Sequence, residues 1–212
     1  MMRTSVVFSG FRSLWGYWCV LGLAAVLVGT VFLAGCGNEL EDVGESDTIL
    51  YVKQIVGDDG DVIFSDQQIS TGSICNDNAT VTLAAELKSP DASPGTVGYT
   101  DVVVTDYRVD YFRVDGNPSE PGTTVPESFQ GQLQLVVPAG GNASINFVIV
   151  RHETKEAPPV SDLAFGFGEG IIVVTAQCTF WGKDQMGAGD QVSAVGLIEI
   201  HFADFGDSKT SC

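Results

Sequence analysis

The feature that most constrains this chain is alternation. From Thr48 onward, apolar and polar residues exchange places with a period of two, run after run. "ATVTLAAEL", from Ala79, sets Val81, Leu83, Ala85 and Leu87 on one face and Thr80, Thr82 and Glu86 on the other. "FQGQLQLVV", from Phe129, opposes Leu133, Leu135 and Val137 to Gln130, Gln132 and Gln134. "ASINFVIV", from Ala143, aligns Ile145, Phe147 and Ile149, and "QVSAVGLIEIHF", from Gln191, opposes Ile198, Ile200 and Phe202 to Glu199 and His201. Such a period belongs to strands with one face buried and one face wet. The helical period of about 3.6 residues is hard to find anywhere.

Three further runs complete a set of seven strands: "TILYVKQIVG" from Thr48, "DVVVTDYRVDYFRV" from Asp101 and "IIVVTAQCTFW" from Ile171. Between them lie "DDGD" (58–61), "VDGNP" (114–118), "PAGGNAS" (138–144) and "MGAGD" (186–190), rich in residues that tolerate positive φ. The fourth and fifth strands are expected to form a short hairpin, and so are the sixth and seventh. The expected fold is all-β, a single seven-stranded Greek-key β-sandwich over residues 48–212. A jelly roll or small β-barrel is the alternative closure. The strand pattern is similar to that of immunoglobulin-like and fibronectin type III-like modules of bacterial surface proteins, most of all in "FWGKDQMGAGDQVSAVGLIEI". It departs from antibody-type domains: no Trp stands in the third strand, and no Cys pair links the second and sixth. Segments 57–78 and 151–170 are too short for a second core and are expected to fold over the ends or edges of the sandwich.

The amino terminus carries Arg3 and Arg12, then Trp15–Ala34, 20 residues without a charge. That length suffices to span a bilayer. A positive start, an apolar stretch and small closing residues also describe a secretory signal. The residues that decide are Leu33-Ala34-Gly35-Cys36, which resemble the lipobox of bacterial lipoproteins. The resemblance implies that the thiol of Cys36 receives a diacylglyceryl group and that a peptidase cuts before it. Residues 1–35 then form a signal peptide with a signal helix, 36–47 the lipidated cysteine and a flexible acidic tether, and 48–212 the sandwich. A single acyl chain holds only marginally, whereas two or three hold durably. The resemblance thus implies a membrane partner through lipid on Cys36 and an extracytoplasmic place in the cell envelope. Gly37 stands where Asp would favour inner-membrane retention in some Gram-negative bacteria, which points to the outer membrane.

Removing residues 1–35 leaves 8 of the 10 Lys and Arg and all 27 Asp and Glu, a formal charge of 8 − 27 = −19. Such a chain is a poor partner for nucleic acid. The two histidines, His152 and His201, belong to no H-E-x-x-H motif, and no serine sits in G-x-S-x-G. Cys178, Met186 and His201 would suit copper only with a second His soon after the cysteine, where Thr179, Phe180, Trp181 and Gly182 stand instead. "GFGEG" (166–170) precedes a strand, not the helix that phosphate binding needs. No catalytic residue and no resident cofactor are expected. The sequence reads as a non-catalytic binding or structural module of the envelope with a protein partner there. An accessory subunit or an enzyme with a loop-borne site is the alternative, tested by whether His152, Glu153 and Glu156 converge in a pocket. A calcium-stabilised adhesion module would use Asp58, Asp59 and Asp61, the densest acidic cluster. An oxidising compartment leaves Cys75, Cys178 and Cys212 to share one disulfide. Cys178 shares a face with Ile172, Val174, Ala176 and Phe180 and reads as core. A Cys75–Cys212 bridge is therefore expected, with Cys75–Cys178 as the alternative.

Overall fold

The computed structural model describes residues 48–58, 60–66, 73–88, 100–165, 170–185 and 191–205. The chain divides into two compact units, Met1–Val43 and Gly44–Cys212, and every described residue belongs to the second. The signal segment and Cys36 lie outside the described residues.

The described residues are all-β apart from two short helical turns, and two sheets pack face to face. Strands β1 (Thr48–Gly57), β3 (Asp77–Leu87) and β6 (Asn142–Val150) form a three-stranded sheet in the order β1-β3-β6. Strands β2 (Val62–Asp66), β8 (Val192–Ala203), β7 (Ile171–Asp184), β4 (Val102–Arg113) and β5 (Phe129–Val137) form a five-stranded sheet in that order. The alternation of the sequence is the burial pattern of the strands. Val81, Leu83 and Ala85 face in from β3, Ile198, Ile200 and Phe202 from β8, and Ile172, Val174, Ala176, Cys178 and Phe180 from β7. At its centre Tyr107 stacks on Phe180 at 6.2 Å and meets Phe147 and Phe129 edge-on at 5.2 and 6.1 Å. Gly131 of β5 lies against this ring, where a Cβ would stand 2.3 Å from the Tyr107 Cζ. Gly196 of β8 likewise lets β1 close over the five-stranded sheet, since a Cβ there would fall 2.7 Å from Ile55 and 2.8 Å from Val52.

Two expectations are corrected. Eight strands are present among the described residues, not seven: β2 lies within the segment read as a loop and runs parallel to β8, pairing Val62 with Glu199 and Asp66 with Ala203. The fourth and fifth runs of the sequence, β5 and β6, are not a hairpin, because they belong to different sheets. The turn between them is captured by β3 instead. Gly140 N–H donates to the Ala85 carbonyl at 2.7 Å, and Ala85 N–H donates to the Gly141 carbonyl at 3.3 Å. These bonds carry the chain across to the second sheet. The β7–β8 pair is antiparallel along its length, as the sequence indicates.

Segment 151–165 folds over one end of the sandwich. It carries helix α1 (His152–Glu156), a cis peptide between Pro158 and Pro159, and a 3-10 turn, Ser161–Phe165. Val160 and Leu163 are buried and fix it to the core.

Candidate functional site

The outer face of the five-stranded sheet is the first candidate. Of the eight large hydrophobic side chains that stand exposed among the described residues, Phe64, Phe112, Val136, Ile171, Val195 and Leu197 lie on this face. Strand alternation puts them there, since each neighbour in sequence points into the core. Leu197 is 64% exposed and Val195 53%. Paired polar groups stand among them: Arg108 meets Asp110 at 2.8 Å, and Glu199 meets His201. The His201 ring also packs edge-on against Phe64 at 5.4 Å. A face of this kind mixes apolar and polar side chains and can meet a partner surface through both.

The second candidate is the end where β2 finishes and β3 begins. Lys155 of α1 is 1% exposed, and its Nζ donates to the Asp66 carbonyl at 2.8 Å and to Asp77 Oδ1 at 3.0 Å. Phe205 N–H, just past β8, donates to Asp66 Oδ1 at 3.1 Å. One lysine thus ties α1, the end of β2 and the start of β3 into one buried cluster beside the exit of the carboxyl-terminal tail. Nearby, the Tyr111 hydroxyl donates to the Ile149 carbonyl at 2.7 Å and bridges the two sheets. Burial pushes its phenol well above the ordinary tyrosine range. The sequence offered no sign of this cluster, since "RHETKEAPP" reads as a polar loop.

An open cleft of about 280 Å³ is lined by Glu127, Ser128, Phe129, Arg151, Glu153, Thr154 and Ala157. It brings Glu153 beside Glu127 and Arg151, but neither His152 nor Glu156 lines it. The Arg151 guanidinium is committed locally: it lies over the Phe129 ring at 4.2 Å and donates to the Gln130 carbonyl. His152 is exposed, with its backbone N–H on Asn76 Oδ1 at 2.6 Å and its ring 3.3 Å from Glu153. Ser128 and Thr154 supply the hydroxyls of the cleft, and Ser128 Oγ accepts a hydrogen bond from Arg108 at 3.1 Å.

Asp58 and Asp61 flank the tight Gly57–Gly60 turn, while Asp59 lies outside the described residues. Among the described residues no group of three or more His, Cys, Asp or Glu is placed to hold a metal ion. Cys178 is free and buried, and burial pushes its thiol up to about 12. That removes the Cys75–Cys178 alternative. Cys75 is itself disulfide-bonded; Cys212 and Met186 lie outside the described residues. No helix among the described residues is long and apolar enough to cross a membrane. No protein-family model matches the chain, and no curated protein matches it.

Proposed function

We propose that this chain is a bacterial lipoprotein, held on the extracytoplasmic side of the cell envelope by lipid on Cys36, whose sandwich serves as a non-catalytic binding or structural module. The observation that carries the reading is Leu33-Ala34-Gly35-Cys36 at the end of an uncharged 20-residue run. The tether has a length that suits the role. Residues 36–47 precede Thr48, the first residue of β1, and a flexible chain of that length has an end-to-end distance of about 20 Å. The domain would then stand just clear of a membrane surface. The apolar outer face of the five-stranded sheet supports the binding half of the reading, with a protein of the envelope as the partner. Where Gly37 follows the lipidated cysteine, the outer membrane is the favoured destination in a Gram-negative cell.

A disulfide between Cys75 and Cys212 completes the proposal. Cys75 stands two residues before β3, and Phe205 leaves β8 on a hydrogen bond to Asp66, which Lys155 ties to Asp77. The seven residues from 206 to 212 span up to about 23 Å when extended, enough to return to Cys75 from there.

Labelling with a radioactive or clickable fatty acid tests the anchor. The wild-type chain is expected to take up label and to lose residues 1–35. Cys36→Ser is expected to take up none and to persist at precursor mass. Normal processing of Cys36→Ser would refute the reading.

A further inference from the structure

Lys155 and Asp77 form a buried pair where β3 begins. Lys155 Nζ stands 3.0 Å from Asp77 Oδ1 and 2.9 Å from Oδ2. The two side chains are 1% and 9% exposed. The oxygens are not equivalent. Oδ1 accepts a hydrogen bond, whereas Oδ2 is buried and accepts none despite its closeness to the ammonium. The nitrogen thus stands within 3.0 Å of both oxygens of one carboxylate, with no hydrogen bond made to Oδ2.

Two opposite charges in a water-poor site carry a desolvation cost that only ideal hydrogen bonding offsets, and here one carboxylate oxygen has none. Reacting groups held this close without intervening solvent have already met most of the entropic cost of an encounter. We propose that Lys155 and Asp77 condense to an intramolecular amide, an isopeptide cross-link between α1 and β3.

The step balances within the pair. The C–N bond forms between Nζ and the Asp77 carboxyl carbon, and the bond from that carbon to Oδ2 breaks. Of the three protons on the ammonium, two leave with Oδ2 as water and one stays on the amide nitrogen. Both charges vanish, and no oxidant, reductant or co-reactant is needed. The site suits the product better than the reactants. The remaining N–H keeps its acceptor, the Asp66 carbonyl at 2.8 Å, and Oδ1 becomes the amide oxygen. The atom expelled is the one left without a hydrogen bond. Burial then keeps water away from the amide and opposes the reverse reaction. The cross-link would join positions 78 residues apart, two residues from the half-cystine Cys75.

The test is a peptide map of the full-length protein, purified natively, then reduced, denatured and digested with trypsin. The expected result is a branched species that joins residues 54–88 to 152–183. Its mass is one water below the sum of the two, and cleavage after Lys155 is missing. Asp77→Ala is expected to release residues 54–88 as a linear peptide and to restore cleavage after Lys155. Only linear peptides from a wild-type sample that melts cooperatively would overturn the proposal. So would a branched species that persists in Asp77→Ala.

Discussion

Gly131→Ala offers a sharp test of the packing. Gly131 sits mid-strand in β5, paired with Tyr107. A Cβ there would stand 2.3 Å from Cζ, 2.4 Å from Cε1 and 2.4 Å from the hydroxyl oxygen of Tyr107. Its φ is not positive, so the backbone itself accepts alanine. Left to the backbone alone, the change would stabilise the protein by about 0.4–1 kcal/mol through the unfolded chain. The ring reverses the sign. Tyr107 is held by Phe129, Phe147 and Phe180 and cannot swing away without disturbing the centre of the core. Overpacking of this kind costs about 1–3 kcal/mol, which leaves a net loss of about 1–2 kcal/mol. For a domain of this size that corresponds to a fall in Tm of about 2–8 °C. The assay is urea unfolding of Gly131→Ala in two backgrounds, wild type and Tyr107→Leu. With the ring gone, the alanine is expected to be neutral or stabilising. An equal penalty in both backgrounds, or a gain in the wild type, would refute the reasoning.

Three further outcomes are expected. Non-reducing peptide mapping should recover Cys75 joined to Cys212, with a chain-entropy contribution of roughly 4–5 kcal/mol for so long a loop; a bridge to any other cysteine would break the proposed link between tail and β3. Cys178 is protonated in the fold up to about 12, against an ordinary value of 9.0. The unfolded chain gives up that proton first, so stability should fall as pH rises from 9.0 towards 12; Cys178→Ala should flatten this slope in pH-dependent melting, and an unchanged slope would count against it. Tyr111→Phe leaves the buried Ile149 carbonyl without its hydroxyl donor and should cost about 1–1.5 kcal/mol in urea unfolding.

Much of the core was legible because it is set locally. Cys178 and Phe180 point inward and Glu199 and His201 outward by parity alone, and parity survives into the structure. β2 escaped because its pattern runs against hydrophobicity. It turns Phe64 out and buries Ser65, since Ile63 faces the core and the strand is only five residues long. The crossing from β5 to β6 escaped because it depends on Ala85, a residue of a distant strand, and no local turn signal distinguishes it from a hairpin. Lys155 escaped for the same reason. A lysine in a charged stretch reads as solvated, and its burial follows from Asp66 and Asp77, far away in sequence.

The two ends of the sandwich are not alike, and register shows how they differ. Thr48 pairs with Leu87 and Gly57 with Ala79, so β1 begins beside the end of β3. The first residue of β1 therefore lies at one end of the sandwich, and Asp77 with Cys75 at the other. An 11-residue strand separates them, roughly 35 Å at the usual rise per residue. At the far end converge the chain leaving β2, the α1 segment and the chain leaving β8 at Phe205. These are long connections, where ladder hydrogen bonds stop and local opening and proteolysis ordinarily start. Lys155, Asp66 and Asp77 lie in their midst, with Cys75 two residues away. Such reinforcement removes freedom there, because it joins β2 and β3, which belong to different sheets, to α1, which belongs to neither. If Cys36 anchors the chain as proposed, the end that this cluster secures is the one opposite the entry to β1, where proteases and partners are met first.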